Sequence, residues 1–390
     1  MTAPDGSLAG IRVLEVANFL AAPIAGMFLA DHGAEVIKVE RPGTGDEIRS
    51  WGYAKDGVGL FHKVVNRNKK SITLDLHEPT AQQAVRDLAR TADVVLENFR
   101  PGTLEGWGLG YSDLAAVNER IVYTSISGFG RTGPYAHRRG FGTLAEGFSG
   151  FAQVTGDADG APLLPGFGLA DSTTGLTAAY LTMVALRSRD AHGHGQHVDL
   201  GLYESLFTLI GSHVIDHDQL GVVQHRDGSR LPFASPRNTF RTSDGQYLVL
   251  AGSSQGAFER ICRALGCPAL IGDPRFATNR DRLANVVALE SALQEAVGRF
   301  TLDEALRVCH EGHATAEAVY DVERIMDDPH YRERGNVVTV ADHELGPVRM
   351  QNVVGVLSRT PGRITHSAPP LGAHNEEILS GELGLDPEGL

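Results

Sequence analysis

The stretch IRVLEVANFLAAPIAGMFLADHGAEVIKVE, residues 11–40, decides the architecture. It holds a short apolar run at 11–16, a helical pattern at 22–30 and a second apolar run at 34–39, which together read as a strand, a helix and a strand. The alternation continues outward, with strands expected at 71–76, 94–99 and 121–127 and helices at 80–92 and 112–118. Strands alternating with helices indicate a parallel sheet covered on both faces, an α/β fold. Residues 176–186 are apolar on all sides and read as a central, buried helix. Beyond about residue 206 the pattern changes to one strand at 247–251 and amphipathic helices at 257–265, 285–300 and 302–311, a smaller α+β domain. Turn signals at Gly346-Pro347, Pro361-Gly362 and Pro369-Pro370 punctuate the end of the chain. The expected division is 1–205, 206–325 and 326–390, the first and last belonging to the large domain.

A chain of 390 residues, 42% of them apolar, is long enough for two domains with separate cores. Lys and Arg number 35 against 48 Asp and Glu, a formal charge of −13, which argues against a nucleic-acid or anionic-membrane surface. The three cysteines, Cys262, Cys267 and Cys309, show no metal spacing and suit free thiols in a reducing compartment. The opening Met-Thr-Ala-Pro-Asp-Gly lacks the pattern of a leader, and no apolar span reaches bilayer length, so a soluble, cytoplasmic protein is expected.

Chemistry is sought first at Asp171, in the run Gly168-Leu-Ala-Asp-Ser-Thr-Thr-Gly175 ahead of the apolar helix. A carboxylate there has two readings. It is an N-cap followed by three hydroxyls, or it is a nucleophile kept ionised by the positive end of the helix. The motif Gly128-Phe-Gly130-Arg-Thr-Gly133 is a literal GxGxxG, yet Pro134 follows it and it comes after the fifth strand instead of the first, so it reads as a glycine loop beside the site and not as a nicotinamide site. Arg41, Arg100, Arg131, Arg138, Arg139, Lys69 and Lys70 lie near strand ends, where a polyanion would bind. His192, His194 and His197 form a tight imidazole group that reads as a solvated turn, and no metal site is expected.

The segment 165–204 resembles the signature region of the family III CoA-transferases, the group that includes formyl-CoA transferase, carnitine CoA-transferase and 2-methylacyl-CoA racemase. Val39-Glu-Arg-Pro-Gly-Thr-Gly-Asp46, Asn68-Lys-Lys-Ser-Ile-Thr-Leu-Asp75 and Glu97-Asn-Phe-Arg-Pro-Gly102 are similar to three further family segments. The resemblance implies a Rossmann-like large domain, a smaller α+β domain, and two chains interlocked as a ring-like homodimer. It also implies that Asp171 is the acyl-accepting nucleophile, that Arg41, Leu74, Asn98, Phe99 and Arg139 bind CoA, and that Gly128, Gly130 and Gly133 form an active-site loop. The sequence departs from formyl-CoA transferase at Leu20 and Gly106, which stand where that enzyme has a Gln and an Arg. From the racemase branch it departs at Phe141 and Gly142, which replace a His-Asp pair.

The expected activity is transfer of CoA from an acyl-CoA to a small free carboxylic acid through an aspartyl anhydride and an aspartyl-CoA thioester. No cofactor is implied beyond CoA itself. An acyl-CoA racemase of the same family and a nucleotide-binding oxidoreductase are the alternatives.

Overall fold

A computed structural model describes residues 6–386. The reading of the opening residues as free of a leader falls mainly on 1–5, which lie outside the described residues, as do 387–390. Six strands form the main sheet: β1 (Arg12–Val16), β2 (Glu35–Glu40), β3 (Lys69–Thr73), β4 (Val94–Glu97), β5 (Val122–Ser127) and β6 (His197–Gly201). Their spatial order is β3-β2-β1-β4-β5-β6. Every neighbouring pair is parallel, with Val13 opposite Val36 on one side and Val94 on the other. The sheet is the expected one, with β6 added. That segment read as part of a turn because imidazoles and glycines surround it, and as an edge strand it buries only Leu200 and Gly201.

Side chains alternate between the sheet's two faces, and each face has its own core. Val13, Val36, Val94 and Val122 pack against α1 (Ala21–Asp31) and α4 (Leu169–His192). Leu14, Ile37, Val95 and Tyr123 pack against α2 (Pro79–Ala89), whose first position is proline. There the missing N–H costs nothing, because no helical acceptor precedes it. Helices α1 and α4 touch through alanines, and a Cβ on Gly175 would lie 2.6 Å from Ile24 and 2.7 Å from the Ala21 carbonyl. Close crossing therefore depends on a residue without a side chain at 175.

The helix read as buried all round is covered on one side only. Leu176, Tyr180 and Val184, four residues apart, are exposed. Apolar composition on every face of a helix does not by itself establish that every face is packed.

The chain divides into two compact units. One comprises Met1–Phe151, Leu164–Val222 and Pro329–Leu390, and the other Ala152–Leu163 and Val223–Asp328. The first thus runs past 205, and 152–163 groups with the smaller unit. That unit holds the antiparallel strands β7 (Arg237–Arg241), β8 (Tyr247–Ala251) and β9 (Ala316–Ala318), with a core of Phe240, Leu248, Phe258 and Leu293. Within the first unit, the end of the chain covers the β3 edge. Ser71 N–H donates to His374 Nδ1 at 3.1 Å, Thr73 N–H donates to Asn375 Oδ1 at 2.9 Å, and Ile378 and Leu379 join the α2-side core.

One polar cluster runs through this apolar frame. The Lys38 ammonium, on β2, lies 2.9 Å from Glu15 and 2.9 Å from Asp46, and it donates to the Ala17 carbonyl at 2.8 Å. Burial opposes its charge, but Asp46 and Glu15 hold it above its ordinary value. Asp46 in turn accepts the Phe19 N–H at 2.9 Å, and Phe19 sits at φ +63, a conformation that costs a bulky residue energy. Asp46→Ala leaves both Phe19 N–H and one side of the ammonium unpaired. The expected loss is about 3 kcal/mol of stability, read from the urea midpoint.

Candidate active site

In a sheet of this order the strand sequence reverses between β1 and β4, so a crevice opens beyond their carboxyl ends. The turn after β1 and the turn after β4 meet there. Asn18 N–H donates to Asn98 Oδ1 at 3.0 Å, and Asn98 Nδ2 donates to the Asn18 carbonyl at 2.6 Å. Beneath them, the buried Glu97 accepts the Phe99 N–H at 2.8 Å and pairs with Arg131 at 3.1 Å. Burial pushes Glu97 up to about 7, against hydrogen bonds from Ser125 and Phe99 and the Arg131 charge.

The crevice holds a cavity of about 350 Å³ walled by Asn18, Phe19, Asn98, Arg100, Arg139 and Asp171, among others. A smaller hollow of about 60 Å³ contains Arg41, Leu74, His77 and Trp107, and it shares Asn18 and Phe99 with the first. All six residues proposed from the sequence as catalytic or CoA-binding are thereby brought together. Asn98 has its amide tied to Asn18 on both atoms.

The glycine loop is placed by two different constraints. A Cβ on Gly128 would lie 2.6 Å from the Gly140 Cα, so the two ends of the loop touch backbone to backbone. Gly130 and Gly133 have φ of +80 and +81, in the left-handed region. This fold-back carries Arg139 and Phe141 to the cavity wall. Other basic residues are already engaged. Arg131 pairs with Glu97 and Glu105, Lys69 is buried 2.7 Å from Glu15, and Lys70 pairs with Glu35 and Glu377, so these three do not form the expected anion site. Lys69 lies within β3 and not ahead of it.

Asp171 does not cap its helix. Gly168 occupies the N-cap position, and Asp171 lies inside the first turn of α4, one turn before Gly175. The close crossing at Gly175 therefore aims Asp171 at the start of α1 and the turn after β1. Its other wall is α3 (Gly142–Phe148), where a Cβ on Gly142 would sit 2.0 Å from Asp171 Oδ2. Burial, and after it the charge of Glu146, push the Asp171 carboxyl up to about 6, opposite to the effect expected from the helix start alone. Glu146 is itself buried and accepts the Ala170 N–H at 3.3 Å.

Sequence reasoning passed over Asn18, Phe19, Gly142 as a spacer, and Glu146. The last is a lone carboxylate in a mixed segment, and nothing in its spacing marks it as buried. The imidazole group comes apart in the structure. His192 ends α4, His194 is in the connection, and His197 begins β6, where it meets Ser125 Oγ at 2.8 Å and stacks on Tyr111 at 5.2 Å. Among the described residues no three His, Cys, Asp or Glu side chains converge as a ligand set. Nor is any described helix long and apolar enough to cross a membrane.

The switch-point cavity thus brings one carboxylate, Asp171, together with the cations Arg100 and Arg139 and the Gly128 end of the glycine loop. The chain belongs to CoA-transferase family III, whose model matches residues 8–375, and it is a CoA-transferase. It is 41% identical to a succinyl-CoA–D-citramalate CoA-transferase of Chloroflexus aurantiacus, across 99% of this chain and 96% of that one. It is 36% identical to a succinate–glutarate CoA-transferase of Agrobacterium fabrum, across 96% and 95%. The crystal structure of a CaiB/BaiF family protein from Brucella suis superposes with a TM-score of 0.86 at 33% identity, covering 97% of this chain and 100% of that one.

Gly142→Ala is expected to displace the Asp171 carboxylate while leaving the fold intact. A shift of that kind costs roughly 100-fold in turnover. The check is a steady-state rate measured beside an unchanged circular dichroism spectrum.

Proposed function

We propose that the protein moves CoA from succinyl-CoA or a similar acyl-CoA to a small dicarboxylic acid, with Asp171 as the nucleophile. The observation that carries the reading is the half-buried Asp171 in the cavity, with a carboxyl that titrates near 6 and is ionised at neutral pH. The Asp171 oxygen attacks the thioester carbonyl, the C–S bond breaks, and a mixed anhydride and CoA thiolate result. The thiolate attacks the aspartyl carbonyl of the anhydride, releasing the donor acid and leaving an aspartyl-CoA thioester. The acceptor carboxylate then attacks that thioester, and the returning thiolate takes the acyl group and frees Asp171. No net proton is needed.

Each attack builds an oxyanion, and backbone N–H groups at the start of α4 and on the loop of Gly128, Gly130 and Gly133, which reaches the cavity at Gly128, are the candidate donors, each worth a few kcal/mol. Arg41 and Arg139 supply charge for the CoA phosphates. Leu74 and Phe99 supply apolar wall for the adenine, and Asn98 holds the two turns together beneath it. The dicarboxylate preference is supported by the relatives, whose names pair succinate with citramalate and glutarate. The exposed Leu176, Tyr180 and Val184 support a homodimer, since an apolar stripe of this kind is stable when a second surface covers it.

Racemisation fits less well. The residues lining the cavity offer Asp171 as the one carboxylate and no imidazole, and Gly142 leaves no space for a side chain beside it. A two-base exchange at Cα has no second base there.

Asp171→Asn should abolish transfer and retain CoA binding, and mass spectrometry should no longer find acyl or CoA adducts on the peptide holding residue 171. Persisting transfer overturns the reading. The same variant should be more stable at pH 7.5. A carboxyl raised from 3.8 to about 6 binds its proton more tightly when folded, so stability falls as pH rises through that window. Removing the charge recovers about 3 kcal/mol, seen as a higher unfolding midpoint that converges with the wild type below pH 4.

A further inference from the structure

The neighbourhood of Asp171 contains a buried carboxylate that the transfer chemistry has not used. Glu146 lies on α3, one turn beyond Gly142, and is 3% exposed. One oxygen accepts the Ala170 N–H from the first turn of α4, and Gly168, the N-cap of that helix, has no side chain to do so. A helix N-terminus leaves its first amides without intrahelical partners, and here a carboxylate from another helix meets one of them. The same short helix therefore touches the nucleophile's segment twice, through the Gly142 backbone at Asp171 Oδ2 and through Glu146 at Ala170.

Burying a second negative charge beside a nucleophilic carboxylate has a specific consequence for this reaction. Free Asp171 is an anion, whereas the anhydride and the aspartyl-CoA thioester are neutral at that residue. Repulsion from Glu146 raises the energy of the free enzyme and vanishes as the Asp171 oxygen forms its bond to the acyl carbon. The other elements around Asp171 do not duplicate this effect. The turn after β1 brings the uncharged Asn18 and Phe19, the start of α5 (Leu202–Leu209) brings Leu202, and the cavity wall brings the cations Arg100 and Arg139.

We infer that Glu146 is a positioning residue for transfer: it anchors the first turn of α4 and destabilises the uncombined Asp171 carboxylate relative to the acylated states. The inference rests on Asp171 being the nucleophile. It also accounts for the direction of the Asp171 shift, in which Glu146 is the charge that adds to burial.

Glu146→Gln keeps an oxygen that accepts from Ala170 and removes the charge. The pH profile of kcat for the full-length variant should have its acid limb moved down by about one unit, with kcat at pH 7.5 lowered up to about tenfold and KM for the acyl-CoA unchanged. A limb that stays in place with kcat unaltered overturns the inference. A purely structural role would lower kcat at every pH without moving the limb, and that result overturns it too. Should Glu146→Gln fail to fold, Glu146→Asp retains the charge, so its limb should stay at the wild-type position; a limb that drops overturns the inference. Asp171→Asn is run alongside. If it is inactive while the Glu146→Gln limb is unmoved, only the Glu146 assignment fails; if it is active, the function proposed for Asp171 fails first.

Discussion

The active crevice depends on a buried ammonium. Lys38 reaches from β2 to Glu15 on β1 and to Asp46, and Asp46 holds the Phe19 N–H in the turn between β1 and α1. Two carboxylates around one ammonium make each costly to lose, because the charge left behind is shielded from water. The strained Phe19 backbone is the visible result, a bulky residue kept at positive φ because its amide has a fixed acceptor. From that turn the rest follows: Asn18 docks with Asn98, α1 starts at Ala21, and α4 crosses it at Gly175 with Asp171 one turn away.

Much of this was legible in the chain, for identifiable reasons. Strands buried on both faces are rich in apolar and β-branched residues, so β1, β2, β4 and β5 stood out against their neighbours. The edge strand β6 did not, because His197, Val198 and Asp199 are not fully buried and need not be apolar. Arg41, Leu74, Asn98, Phe99, Arg139 and Asp171, which line the two adjoining cavities, lie on motifs, and motifs survive in one dimension. Glu146 and Gly142 matter through contacts with a helix some twenty-five residues later, which spacing does not encode. Charged residues misled in a consistent way. Lys69, Lys70 and Arg131 resembled a phosphate site because a basic residue near a strand end looks the same whether it faces solvent or is already paired with a glutamate.

Asp171 shows two opposing influences on one group. A helix start favours a carboxylate by its dipole, but a half-buried position facing another carboxylate disfavours it, and here the second wins. The outcome suits the nucleophilic role proposed for Asp171. A carboxyl near 6 is still ionised at neutral pH and holds its electrons less well solvated than an exposed aspartate does. The glycine at 142 makes this arrangement tight, since the space that a side chain would occupy belongs to the Asp171 oxygen.

The covering of the β3 edge by His374 and Asn375 has a consequence for how the chain is made. When a ribosome has released all six strands, only about the first 200 residues have emerged, and the outer strand still presents unpaired N–H groups and an open apolar patch where Ile378 and Leu379 will sit. Nearly half the polypeptide must be synthesised before the segment that seals this edge arrives. Over that interval the nascent sheet is exposed to strand addition from other chains. Sealing of the sheet is thus tied to synthesis of residues 374–379, and a product truncated before them would hold Asp171 and the residues around its cavity and still present an open edge.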